Sequence, residues 1–331
     1  MFKIIVLALA LFGAYYCYLQ CQYHSVKVEV EKREASRAYD KDLKYLMPLG
    51  KPIFMVNPAN KSTLFFIEGF RGQIGAGHYQ QWFDQLYNKH HINIVSPIIG
   101  LQGWPYAYRT RDWHHEEDMR QVVQIYDAYC ANLAPGHRIV IGSMSFGALS
   151  NIAIGAKAKR VPNAMILVSP LNTGLEYKSG GALVRWLATQ MSWLQYVKPV
   201  IIRGKNPSRA SSWDIVNDEK NIRVWNNVAK DIINWEENLP QGMEVTRTVA
   251  YMENDLVPQV KKNNIIVMYG DSDLTFSQKG FLSLAEKLKT AGNKVQPVMF
   301  EKSGHMLLHD NGGDHAKKIF LDVLLNKYSF N

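Results

Sequence analysis

The sequence predicts an α/β protein built on a doubly wound, mostly parallel sheet. From Pro52 onward, short apolar runs alternate with segments of helical spacing. The runs are apolar throughout, as strands covered by helices on both faces are. A third observation is His137–Ser150, where Ile139, Val140 and Ile141 give way to Ser143-Met144-Ser145-Phe146-Gly147 and then to small and apolar residues of helical character. Strand, sharp turn and helix with a serine at the apex is the arrangement that exposes a nucleophile at the edge of such a sheet. The turn tolerates only small residues two positions either side of the apex, and Ser143 and Gly147 fill them.

The elements follow in order. Met1–Leu19 holds Lys3, an apolar run over Ile4–Phe12, and then Tyr15, Tyr16 and Tyr18. It reads as a signal peptide or signal anchor, long enough to span a bilayer core. Large residues stand where a small-x-small cleavage pattern belongs, so an uncleaved anchor over residues 1–20 is expected, with cleavage and secretion as the alternative. Lys3 and the amino terminus favour an inside amino end, which would put the body on the non-cytoplasmic side. Residues 21–45 carry dense mixed charge (Lys27, Glu29, Glu31, Lys32, Arg33, Glu34) and read as a stalk.

Strands are expected at Pro52–Val56, Thr63–Ile67 and Ile92–Ser96, with a helix over Tyr79–Lys89 buried through Trp82, Phe83 and Leu86. A helix over Glu116–Leu133 begins with acidic residues that suit its positive end. Further strands follow at Ala164–Val168, Asn264–Tyr269 and Lys294–Phe300, and helices at Gln278–Thr290 and His315–Lys327.

Composition narrows the function. Among 331 residues, 47% are hydrophobic and 20% charged, as in a folded domain. The net charge of +9 is scattered, which argues against nucleic acid and leaves an anionic lipid surface as the simpler partner. Three cysteines, at 17, 21 and 130, make neither a disulfide framework nor a zinc pattern. Trp113-His114-His115-Glu116-Glu117-Asp118 holds metal-ligand residue types, but adjacent histidines point apart and the acids suit a helix start, so no metal site is expected there.

A serine nucleophile needs a base, and the base an acid to hold it. One strand ends in Gly270-Asp271-Ser272-Asp273 and the next in Glu301-Lys302-Ser303-Gly304-His305. Both loops lie at the same sheet edge as Ser145, in the order nucleophile, acid, base. Asp273 is the expected acid, because Asp271 follows its strand too closely and suits a bond within its own loop. His305 is the expected base, while His309 and His315 sit farther on as loop and helix-start residues. An oxyanion hole needs two backbone N–H donors. Phe146 follows the nucleophile, and Phe70 lies in the turn Glu68-Gly69-Phe70-Arg71-Gly72 after an early strand. Gly72, Gly75 and Gly77 suit a mobile loop beside the site.

On the Ser145 turn, Ser169-Pro170, Gly270-x-x-Asp273 and Gly304-His305, residues 50–328 resemble the α/β-hydrolase superfamily. Within it they are similar to the lysophospholipase and monoacylglycerol lipase group. The resemblance implies a serine hydrolase without cofactor, its core in residues 46–170 and 263–331 and a helical cap in 171–262. Two positions depart from the pattern, Ser143 for glycine and Glu68-Gly69 for His-Gly. Ala182–Ile202 is apolar on nearly all sides, and Trp186, Met191 and Trp193 there are candidate substrate-binding residues. They either pack on the core or line an acyl-chain tunnel; Trp213, Trp225 and Trp235 read as cap core. The expected activity is cleavage of acyl esters with a lipid-like chain. Amide cleavage in the manner of an aminopeptidase and a non-catalytic, membrane-tethered binding module are the alternatives.

Overall fold

The computed structural model describes residues 6–7, 9–18, 21, 52–69, 79–99, 115–172, 201–203, 236–238, 247–273 and 276–330. Among the described residues, seven strands form one sheet: β1 (Ile53–Met55), β2 (Ser62–Ile67), β3 (Ile92–Ser96), β4 (Arg138–Met144), β5 (Ala164–Val168), β8 (Asn264–Gly270) and β9 (Lys294–Phe300). Their order is β1-β3-β2-β4-β5-β8-β9, and every pairing is parallel except β1 on β3. A separate antiparallel ribbon joins β6 (Ile201–Arg203) to β7 (Glu236–Asn238).

Because side chains alternate across a strand, each apolar run feeds two cores. Phe65, Ile67, Ile139, Ile141, Met165, Leu167, Ile265 and Val267 face one layer. That layer holds α2 (His115–Ala131), α3 (Gly147–Lys157) and α4 (Gln278–Thr290). Leu64, Phe66, Ile92, Ile94, Val140, Ile166, Ile266 and Met268 face the other, which holds α1 (Gln80–His90) and α5 (Gly313–Leu324). In α5 the buried residues Ala316, Ile319, Phe320, Val323 and Leu324 recur at helical spacing. The Phe66 ring meets Tyr79, Trp82 and Phe83 at centroid distances of 5.1, 5.7 and 5.7 Å and Phe320 at 6.3 Å. Gly142 on the neighbouring strand makes room for this cluster, since a Cβ there would lie 2.6 Å from Phe320 Cε1.

The expected fold class is the one found, and the core strands and helices fall where the apolar pattern puts them. Helix ends moved by a few residues. The last helix spans Gly313–Leu324 instead of His315–Lys327, with Asn326 just beyond it in a left-handed conformation at φ 58°. Residues 247–259, inside the interval expected for the cap, are helical with a wider π turn at Met252–Leu256. They pack against α3 and α4 through Val249, Met252, Leu256 and Val257. Most of that interval, and the stalk, lie outside the described residues. At the amino end, residues 6–7 and 9–18 are helical, with Leu7, Leu9, Leu11 and Phe12 exposed. Among the described residues no helix is long and apolar enough to cross a membrane.

The chain leaves β2 for β3 on one side and returns to β4 on the other, so the strand order reverses between β2 and β4. Ligands of open α/β sheets bind at such a reversal. Phe320→Ala is expected to destabilise the fold by about 3–5 kcal/mol, measured from the urea midpoint at unchanged slope. A loss under about 1 kcal/mol would show that this ring is not wedged between the sheet and α1.

Candidate active site

Ser145 is the first residue after β4 and has φ 50°, in the left-handed region that a serine rarely enters. The conformation costs about 1–3 kcal/mol and is held by backbone bonds on three sides. Ser145 N–H donates to Val168 O at 2.8 Å, while Ser145 O accepts from Ala148 N–H and Leu171 N–H at 3.1 Å each. Gly147 starts α3 against the end of β2. A Cβ there would collide with the Ile67 carbonyl oxygen and sit 2.6 Å from Glu68 O. On the other side of the apex, Ser143 lies in register between Ile67 and Leu167. Its hydroxyl is buried without a hydrogen-bond partner, so size, not bonding, qualifies it for the place.

The loops after β8 and β9 are tied to each other. Asp271 N–H donates to Phe300 O and Ser272 N–H to Ser303 O, both at 3.0 Å. Gly270 is required by this contact, since a Cβ would strike Ser303 O and lie 2.9 Å from Gly304 O. Asp271 Oδ1 accepts from Ser272 Oγ at 2.8 Å and from Ser303 N–H at 3.3 Å. Desolvation opposes its charge, but the bonds from Ser272, Lys302 and Ser303 prevail and hold its carboxyl below the usual range. Asp271 therefore serves the loop and leaves the site to Asp273.

The three expected side chains come together. His305 Nε2 is 2.8 Å from Ser145 Oγ, and His305 Nδ1 is 2.9 Å from Asp273 Oδ2. The other Asp273 oxygen accepts Phe276 N–H at 3.0 Å. Asp273 and His305 have side chains only 1% and 8% exposed, so their contact is shielded from water. The Phe276 ring covers the imidazole at a centroid distance of 5.3 Å. A hydroxyl, an imidazole and a carboxylate so linked can pass a proton from oxygen to ring while the carboxylate steadies the resulting charge.

Phe146 stands at the amino end of α3, where backbone N–H groups and the helix dipole favour negative charge. Phe70, Trp186, Met191 and Trp193 lie outside the described residues. So do Trp113 and His114; Glu116, Glu117 and Asp118 occupy the first turn of α2. No group of three or more His, Cys, Asp or Glu side chains suited to a metal exists among the described residues. His309 lies in a short turn with its ring 4.8 Å from Tyr79, and His315 packs against Phe300 at 5.4 Å.

Sequence reasoning missed the brace behind His305. Asp310, 4% exposed, accepts Gly304 N–H at 2.7 Å and Asn311 N–H at 2.9 Å. Ser303 Oγ donates to Glu301 O and accepts from Gly312 N–H. No spacing rule marks an aspartate five residues past a histidine; its role exists only once the loop folds back.

No protein-family model and no curated protein sequence matches the chain. Solved structures do resemble it. The monoacylglycerol lipase of Paleococcus ferrophilus superposes with a TM-score of 0.60 at 15% identity, over 80% of this chain and 95% of its own. A soluble variant of monoglyceride lipase from Saccharomyces cerevisiae, in complex with a substrate analogue, gives 0.63 at 12% identity, over 88% and 99%. A carboxyl esterase of Bacillus coagulans, in complex with glycerol, gives 0.57 at 13%, over 81% and 89%. At these identities the likeness is one of fold.

Asp310→Ala is expected to destabilise the protein by about 1.5–3 kcal/mol, the worth of a buried bond to a charged group. Asp310→Asn, which keeps an acceptor for Gly304 N–H, should recover much of the loss. Chemical denaturation of both variants checks this, and equal stability of Asp310→Ala and wild type would contradict it.

Proposed function

We propose that this chain, which has the α/β-hydrolase fold, is a serine hydrolase of carboxylic esters that acts on acyl esters with a lipid-like chain. The observation that carries the reading is the continuous bonding from Ser145 through His305 to Asp273 at the sheet's switch point. Ser145 Oγ attacks the ester carbonyl as His305 Nε2 takes its proton, and Asp273 holds the imidazolium. The N–H groups of Phe146 and Phe70 stabilise the oxyanion. The alcohol leaves with the proton returned by His305, and water activated by the same imidazole releases the acid from the acyl-enzyme.

Support for a lipid-like substrate comes from two directions. The fold likeness includes proteins described as a monoacylglycerol lipase and a monoglyceride lipase. The apolar sequence around Trp186, Met191 and Trp193 has the composition of an acyl-chain wall. In this reading the amino-terminal segment, with Leu7, Leu9, Leu11 and Phe12 exposed, tethers the enzyme to a lipid surface. The catalytic body then lies on the non-cytoplasmic side.

Ser145→Ala and His305→Ala are each expected to lower kcat/KM on a p-nitrophenyl acyl ester by about 10⁴-fold or more. A fluorophosphonate probe should label wild type and not Ser145→Ala; equal labelling of both would end the proposal. Full-length protein should sediment with phosphatidylglycerol-containing liposomes, and protein lacking residues 1–25 should stay in the supernatant while still cleaving short soluble esters. Equal sedimentation of the two would remove the tether.

A further inference from the structure

Glu68, the first residue after β2, is only 3% exposed. Its turn touches the nucleophile. A Cβ on Gly69 would lie 3.2 Å from Ser145 Cβ, 3.3 Å from Met144 O and 3.8 Å from Ser145 Oγ. The position of this turn therefore sets what can approach the serine hydroxyl from the β2 side. Glu68 Oε1 accepts Gly69 N–H at 2.8 Å, and the same oxygen accepts the Tyr79 hydroxyl at a longer 3.4 Å.

Tyr79 is fully buried, and burial, then the neighbouring Glu68 carboxylate, push its hydroxyl well above its ordinary value. It stays a donor at any working pH. Its ring is fixed by Phe66 and Phe83 at 5.1 and 5.7 Å and by the His309 imidazole at 4.8 Å. His309 belongs to the turn Leu307–His309, and the next residue, Asp310, braces Gly304 immediately before His305. One run of buried contacts thus joins the turn over the serine to the loop that carries the histidine.

We propose that Glu68 is a positioning residue for the oxyanion site, its carboxyl anchoring the turn after β2 to Tyr79 and engaging Gly69 N–H. Engagement of that N–H fixes the backbone of the turn where it borders Ser145. The inference rests on the ester-hydrolase reading for its catalytic consequence, but the tether itself is a property of the fold. A turn displaced by even about 1 Å would misplace the donor relative to the developing charge, at a cost of up to about 10²-fold in rate.

The test compares Glu68→Ala, Glu68→Gln and Tyr79→Phe with wild type. Glu68→Ala is expected to lower kcat on a soluble acyl ester by about 10–100-fold with KM nearly unchanged, since ground-state binding does not use the hole. Glu68→Gln, which keeps an oxygen acceptor and drops the charge, should stay within about 3-fold of wild type. Tyr79→Phe, which keeps the ring, should fall between them. Amide hydrogen exchange over residues 66–69 should accelerate in Glu68→Ala and not in Glu68→Gln. Unchanged kcat and unchanged exchange in both Glu68→Ala and Tyr79→Phe would overturn the proposal, as would a Glu68→Gln as slow as the alanine variant. Exchange needs no turnover, so it judges the tether even if Ser145→Ala keeps full activity and the hydrolase reading falls.

Discussion

Ser145 is held in a backbone conformation that it would not choose, and the rest of the site depends on that constraint. A left-handed φ of 50° turns its side chain out of the sheet and away from the helix that follows. The strain, about 1–3 kcal/mol, is of the same size as the three backbone bonds that hold it, at about 0.5–1.5 kcal/mol each. Those bonds come from Val168, Leu171 and Ala148. The turn is thus stable only inside the assembled sheet, where β5 stands beside β4. A peptide of the same sequence would relax.

The same logic governs the histidine. His305 sits on a loop, yet it meets Ser145 Oγ and Asp273 at ordinary hydrogen-bond distances. Precision comes from carboxylates outside the bonded run of Ser145, His305 and Asp273. Asp271 ties the loop after β8 to Ser303, and Asp310 ties Gly304 to the turn beyond. Two glycines complete the arrangement by what they lack. Gly270 admits the Ser303 carbonyl, and Gly147 admits the Ile67 carbonyl, to distances that any Cβ would forbid. Loops braced in this way can carry a rigid constellation even though loops in general are the mobile part of a fold.

Much of this was legible in the residues. Apolar runs covered on both faces marked the strands, and the alternation of strand and helix implied the sheet. Ser143-Met144-Ser145-Phe146-Gly147 marked the turn because steric demands there are local: they fall on residues two positions away. Asp271 was distinguishable from Asp273 for a similarly local reason, its closeness to the strand end. Helix termini were less legible because capping depends on the chain's exit direction, as the left-handed Asn326 after α5 illustrates. Asp310 and the Glu68–Tyr79 contact were not legible at all, because their partners are chosen by how separate loops pack.

Local chemistry is written along the chain: which segments bury both faces, where a turn must be tight, and which residue types could attack, accept a proton and hold a charge. Those properties depend on near neighbours and survive as patterns of period and spacing. Distance between residues 128 and 32 positions apart does not. That Ser145, Asp273 and His305 meet within 2.9 Å follows from the order β4-β5-β8-β9, which brings the ends of β4, β8 and β9 to one edge of the sheet with only β5 between them. The close approaches that hold the surrounding loops occur at Gly147 and Gly270. Such contacts arise from packing in three dimensions, where a single Cβ decides whether two loops can touch.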